Sequence, residues 1–95
     1  MEMEIEFDAA KNLANRKRHG VDLALAARLD WDLALIWPDQ RFAYDEQRMM
    51  ALIPAGILIY HIAFVERAGR RRMISLRQAS RKEKEYYVAH YQGWS

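Results

Sequence analysis

The sequence predicts an α+β fold, a mostly antiparallel sheet with N-terminal helices packed on one face and a further helix at the C-terminal end. Three observations carry this expectation. Residues 2–7 alternate Glu2, Glu4 and Glu6 with Met3, Ile5 and Phe7, the period of two of a half-buried strand. Between residues 33 and 78, apolar stretches are separated by Pro, Gly or polar turn residues. Helix-start signals lie on either side of that block. The order β-α-α-β-β-β-β-α then sets helices against one side of a sheet whose later strands follow one another directly.

Asp8 is placed to cap a helix from Ala9 to about Arg18, because its carboxylate accepts from the free N–H groups of the first turn. Ala10, Leu13, Ala14 and Lys17 share one mostly apolar face of it. Arg16, Lys17 and Arg18 suit the negative end of the helix dipole, and Gly20 is a C-terminal stop. A second helix is expected from Asp22 to about Leu29, in a stretch rich in Ala and Leu. Leu33 to Trp37 reads as a buried strand ended by Pro38, with a polar loop over residues 38–46.

Strands over about 47–53 and 57–66 form an antiparallel hairpin joined at Pro54-Ala55-Gly56. Ile57 to Val65 is apolar on both faces apart from Tyr60 and His61, which predicts a central strand. A tight turn near Ala68-Gly69 leads to a strand over about 70–78. Ser80-Arg-Lys-Glu83 is a capping box that opens a last helix, running to about His90 or Tyr91.

The totals bound the function. A chain of 95 residues, 52% hydrophobic and 29% charged, is expected to form one domain, 1–95, around one modest core. With no cysteine it has no disulfide framework and no thiolate site, which favours a cytoplasmic setting. No apolar run reaches the roughly 20 residues that cross a bilayer, and the acidic first residues lack the pattern of a secretory signal. Residues 1–64 carry 7 Lys/Arg and 10 Asp/Glu, whereas residues 65–95 carry 8 and 3. The basic stretch from Arg67 to Lys84 suits a polyanion or an acidic protein. Its other reading is a solvated edge that discourages aggregation.

No metal-ligand spacing is present, since His19, His61 and His90 stand far apart, and no Gly-rich phosphate loop occurs. No cofactor is expected. The informative segment is Arg70-Arg-Arg-Met-Ile-Ser-Leu-Arg77. Strict alternation puts Arg71, Met73, Ser75 and Arg77 on one strand face and Arg72, Ile74 and Leu76 on the other. Guanidinium forks match phosphate geometry, and two beside a hydroxyl suit the extra charge of a transition state. The alternative is a structural ion pair for Arg77 and a plain turn for Arg70 to Arg72. Glu46 and Arg48 also share a face, as a general base with an electrostatic partner or as a surface pair.

His19 ends a helix, where a capping or packing role competes with catalysis. His61 reads as a hydrogen-bonded core residue. Tyr86 and Tyr87 on the last helix could stack on bases, donate a proton or fill the gap between helix and sheet, and one of the two is expected to pack while the other reaches solvent.

Three blocks together carry a resemblance. Phe7-Asp8, Lys11-Asn12, Asn15 and Lys17-Arg18-His19-Gly20-Val21-Asp22 form the first, Glu46-Gln-Arg48 the second. The third is Arg72-Met-Ile-Ser75-Leu-Arg77-Gln-Ala79 with Glu83 and Tyr86. In this order and at this length they resemble the BrnT family of toxins. Arg18 stands where lysine is common, Leu23 where an aromatic is frequent, and Leu76 where a small residue is usual.

The resemblance implies a RelE-like fold and a ribonuclease of a type II toxin–antitoxin system that cleaves RNA without metal. The expected reaction is attack of the RNA 2′-hydroxyl on its own phosphate, inhibiting translation and growth until an antitoxin intervenes. The catalytic candidates are Glu46, Arg48, Arg77, His19 and Tyr87. Arg48 and Arg77 would hold the phosphate, Glu46 or His19 would take the proton, and Tyr86 or Tyr87 would supply one. Arg71, Arg72, Ser75, Arg81 and Lys82 are the candidate RNA contacts. The implied partner is a BrnA-like protein antitoxin, in a heterocomplex with two toxin copies that meets DNA only through the antitoxin. Trp31, Trp37, Met49, Met50 and Trp94 exceed what one small core readily buries and are candidate anchors for it. The competing expectation is a non-catalytic module that docks nucleic acid or protein on its basic strand and helix.

Overall fold

The computed structural model describes residues 4–41, 43 and 45–91. Glu2, Met3 and Trp94 of the sequence reading lie outside the described residues. The strands are β1 (Glu4–Glu6), β2 (Leu35–Pro38), β3 (Arg48–Ala55), β4 (Leu58–Arg67) and β5 (Arg70–Gln78). The α-helices are α1 (Ala9–His19) and α2 (Arg81–His90). They form a mixed α+β fold on a sheet of order β1-β5-β4-β3-β2, antiparallel except for β1, which runs parallel to β5.

Local chemistry explains the ends. The Asp8 carboxylate accepts from the backbone N–H groups of Ala10 and Lys11, and Gly20 ends α1 in the left-handed region at φ 72°. Both halves of the Ser80–Glu83 capping box are made. The expected second helix is a 3-10 segment, Leu23–Arg28, followed by a shorter one, Trp31–Leu33. The burial pattern gives the reason: Leu23, Ala26 and Leu29 are buried at intervals of three, the repeat of a 3-10 helix.

Pro54 lies inside β3 opposite Ile59, not in the turn. Ala55 and Leu58 close a two-residue connection, so Pro54 falls at a position that needs no ladder N–H. The other tight turn holds Ala68 at φ 49° and Gly69 at φ 79°, both positive, as a type I′ hairpin requires.

The two faces of the sheet carry separate cores. One buries Ala51, Ile53, Ile62, Phe64, Met73 and Leu76 beneath Leu23, Ala26 and Leu29 of the 3-10 segment and its end. The other buries Leu52 and Ala79 with Tyr87 of α2. The helices are thus divided between the faces and not gathered on one. α1 buries only Asn15 and leaves Ala10, Leu13 and Ala14 exposed, so its apolar stripe is not the side turned inward.

Asn15 explains the position of α1. β1 pairs with β5 only over Arg70 to Arg72, which leaves the edge of β5 open further along. There the Asn15 side-chain amide takes the place of a strand. Its Oδ1 accepts from the Leu76 N–H at 3.1 Å and its Nδ2 donates to the Leu76 carbonyl at 2.8 Å. The same nitrogen donates to the Val21 carbonyl at 2.8 Å. Nearby, Asn12 accepts from the Leu23 N–H at 2.8 Å, which ties α1 to the 3-10 segment.

Two stability effects are expected. Asn15→Ala leaves buried N–H and carbonyl groups without partners and costs about 2–4 kcal/mol. Thermal melts should show a loss of more than about 8 °C; a change under about 3 °C contradicts this account. Ala68→Gly relieves a left-handed alanine and gains about 0.5–1 kcal/mol, read as a rise of a few degrees in the same melts. An unchanged or lower melting temperature would count against it.

Candidate active site

A bulge in β5 arranges the site. Ala63 pairs with Ser75 and Phe64 with Met73, so Ile74 has no partner across the ladder. One extra residue reverses the alternation. Arg71 and Met73 therefore lie on the Phe64 side with Leu76, whereas Arg72, Ser75 and Arg77 share the opposite face. The strict alternation expected for residues 71–77 is corrected accordingly. The four predicted neighbours split into two pairs, Arg71 with Met73 and Ser75 with Arg77.

On that face, cross-strand rows align Trp37, Met50, Ala63 and Ser75, and beside them Leu35, Leu52, His61 and Arg77. α2 covers the Leu52 side. The rest is an open cleft of about 680 Å³. The end of α1 supplies Arg18 and His19 as one wall, and residues 37–41 supply the other. Arg48, His61, Arg77 and Glu83 also line it.

The electrostatics are specific. Arg77 donates from both terminal nitrogens to Glu83, at 2.7 and 2.9 Å. Glu83 also accepts from the Ser80 N–H at 2.8 Å. The Arg77 hydrogen bonds, helped by Ser80, hold the Glu83 carboxyl down at about 2 despite partial burial. His61 is buried, with Nε2 3.6 Å from Glu83 and no hydrogen-bond partner for Nδ1 among the described residues. Burial, then the Arg77 charge, pushes its imidazole down to about 4. His19 is also lowered, first by burial and then by the charges of Arg18 and Arg77. Asp39, buried, accepts from Arg41 at 2.9 and 3.0 Å. Among the described residues no three His, Asp or Glu side chains gather as a metal-holding group.

The structure brings together His19, Arg48, Ser75 and Arg77 of the predicted site and separates the others. Glu46 pairs with Arg67 in an adjoining hollow that also holds Arg48 and Arg72. The hydrogen bond from Arg67 lowers its carboxyl, which makes it a poorer base. Tyr87 is buried, donates to the Leu33 carbonyl at 2.6 Å, and does not line the cleft. The packing role expected of one tyrosine falls to Tyr87, and Tyr86 is the exposed one. Arg71 lies on the other face, 4.7 Å over the Trp31 ring, and pairs with Glu66. Arg81 is a solvated residue 3.4 Å from Glu85, and Lys82 borders a separate hollow near Trp37.

Much of the basic stretch is neutralised internally. Arg70 meets Glu4 and Glu6, and Arg72 meets Glu6 and Asp8, so β1 answers β5 charge for charge. Trp31 and Met49 pack against one core and the partly buried Trp37 against the other, while Met50 is itself buried.

Sequence reasoning missed Arg18, Asp39, Arg41, His61 and Glu83 as cleft residues. The signal for Glu83 was its capping box, read only as a helix start. His61 had one too, as the polar residue directly across the ladder from Arg77.

The chain is therefore a small α+β protein with an arginine-lined cleft on one face of its sheet. A family model described as the ribonuclease toxin BrnT of a type II toxin–antitoxin system matches residues 7–83, and the chain belongs to that family. Among solved structures, the crystal structure of the Brucella abortus ribonuclease toxin BrnT is similar, with a TM-score of 0.65 and 27% identity. The match covers 84% of this chain and 100% of that one. A search of curated protein sequences returns no match.

The buried imidazole has a pH consequence. His61 stays neutral in the fold down to about 4, while the unfolded chain takes up a proton near 6.5. Between those values the unfolded state binds more protons, so stability falls as pH falls, by up to about 1.4 kcal/mol per pH unit. Glu83, held at about 2, loses its contribution at lower pH, from about 4.5 downward. Urea unfolding from pH 7 to pH 4 should show the first loss, and His61→Gln should flatten it. An equal slope in both proteins would refute the assignment.

Proposed function

We propose that this chain is a metal-independent endoribonuclease with a RelE-like mode of action, and that the cleft between α1, β5 and residues 37–41 is its active site. The observation that carries the reading is the placement of His19 with the Arg77–Glu83 pair in one open cleft. A neutral imidazole accepts a proton at cellular pH, and a guanidinium stabilises phosphoryl charge.

RNA brings its own nucleophile. The 2′-oxygen attacks the adjacent phosphorus as His19 takes its proton. The bond to the 5′-oxygen breaks and that oxygen takes a proton from water, leaving a 2′,3′-cyclic phosphate and a 5′-hydroxyl. Arg77 and Arg48 hold the phosphate oxygens, with Ser75 beside them on the floor. A bound phosphate offsets the positive charges that lower His19, so the base strengthens when substrate arrives. Glu83 orients Arg77 from the start of α2. Tyr87, buried against Leu33, takes no part in proton transfer.

A protein antitoxin is the partner that a type II toxin requires, and it would cover this cleft, with two toxin copies in the complex. Leu13 and Val88, exposed on the two α-helices, support an additional apolar contact. Among the described residues no helix is long and apolar enough to cross a membrane.

Purified protein should cleave single-stranded RNA in EDTA, and one 2′-deoxy substitution at the cleavage site should abolish the cut there. Arg77→Ala should slow cleavage about 10²- to 10³-fold and His19→Ala about 10²- to 10⁴-fold, with circular dichroism unchanged. Glu46→Gln should have the smaller effect. Full activity in both of the first two variants would remove the cleft from the mechanism. RNA that is shifted on a gel but never shortened would favour a binding module.

Coexpression with an adjacent small reading frame should give one complex on size exclusion, with cleavage suppressed. Separate elution with undiminished cleavage would contradict the partner assignment.

A further inference from the structure

Beside the cleft lies a smaller, mostly apolar hollow of about 360 Å³, formed by Trp37, Leu52, Lys82, Glu83 and Tyr86. It shares Trp37 and Glu83 with the cleft, so the two are neighbours. Trp37 from β2 and Tyr86 from α2 stand with ring centroids 5.8 Å apart, tilted by 55°. Tyr86 is backed by His90, stacked at 4.0 Å and 21°, and the His90 Nδ1 lies 2.9 Å from the Tyr86 carbonyl oxygen. The ring is therefore braced and yet 46% exposed, whereas Tyr87 beside it is covered to 1%. Lys82 at the rim has no carboxylate partner within ion-pair distance among the described residues.

We infer that this hollow is the subsite for one nucleobase next to the scissile phosphate, with Trp37 and Tyr86 as the stacking platform and Lys82 meeting the adjoining phosphate. The inference rests on the ribonuclease reading above. A nucleotide presents a flat apolar ring and an anion side by side. This surface presents an aromatic pair over Leu52 beside a guanidinium and an ammonium. Stacking on aromatics is tolerant of base identity, because every base has a π-face. The subsite thus fixes where the chain lies in the cleft more than which base it carries.

The test uses short single-stranded RNA methylated at every 2′-oxygen, which binds but is not cleaved, with one abasic position moved along it. Wild type should show one position where loss of the base weakens binding roughly 5- to 150-fold, the range of one stacked base. Tyr86→Ala and Tyr86→Leu should bind the intact strand weakly and be insensitive to that abasic position. Tyr86→Phe should behave as wild type. Tyr86→Leu keeps apolar bulk against Trp37, and melts confirm folding.

A flat abasic scan in wild type overturns the subsite, as does equal sensitivity in wild type and Tyr86→Leu. Loss of antitoxin binding in Tyr86→Leu with a flat scan gives the surface to protein and overturns it too. In those cases continued cleavage of ordinary RNA by wild type leaves the ribonuclease reading standing. Wild type that neither binds nor cleaves RNA overturns both.

Discussion

The amide of Asn15 stands where a strand would end its pairing with β5. By bonding both backbone groups of Leu76, it closes an edge that β1 is too short to reach. A neutral side chain with one acceptor and two donors is what the site demands. A carboxylate lacks the donor and an apolar residue lacks both. Because the same nitrogen reaches Val21, the turn after α1 is fixed as well. The last turn of α1 is thereby held at the margin of β5, and Arg18 and His19 face the cleft in consequence. This explains why a helix with exposed Leu13 and Ala14 stays in place: its anchor is polar and buried, not an apolar stripe.

Charge is distributed unevenly around that frame. The arginines of β5 near its start are answered by the glutamates of β1, and Arg67 by Glu46. Such exposed pairs contribute little stability each, though they remove long-range positive field. Arg77 is different. Its partner Glu83 is fixed by the capping box of α2, so the pair also joins β5 to that helix. His61 lies beneath, too buried to charge and therefore not a competitor for Glu83 at neutral pH. The cleft thus combines a preset guanidinium with two imidazoles whose protonation is disfavoured, an arrangement suited to an anion that arrives with its own nucleophile.

The division of the sheet into two faces depends on Ile74. Without the bulge, Arg77 and Leu76 would exchange sides. The core would then receive a guanidinium and the cleft a leucine, at a cost no small domain could sustain. The same irregularity lets Arg71 lie on the opposite face from Arg77, where its planar head covers the Trp31 and Phe64 rings.

Local sequence determined much of this molecule. Asp8, Gly20, Ser80 and Glu83 set helix ends through hydrogen bonds a few residues long, and Ala68-Gly69 set a hairpin through backbone sterics. The three blocks around Asn15, Arg48 and Arg77 carried the family. Composition and order were likewise enough for a mostly antiparallel α+β sheet. Only the tertiary structure decided which side each residue faces. The bulge at Ile74 is a mismatch between two strands, and neither strand's own alternation records it. The 3-10 geometry of Leu23–Arg28 follows from a core that accepts every third residue. The cleft membership of His61, Asp39 and Glu83, and the burial of Tyr87 beneath the sheet, depend on contacts between chain segments far apart in sequence. Those contacts arise from packing and long-range pairing, which a pattern read along one segment does not contain.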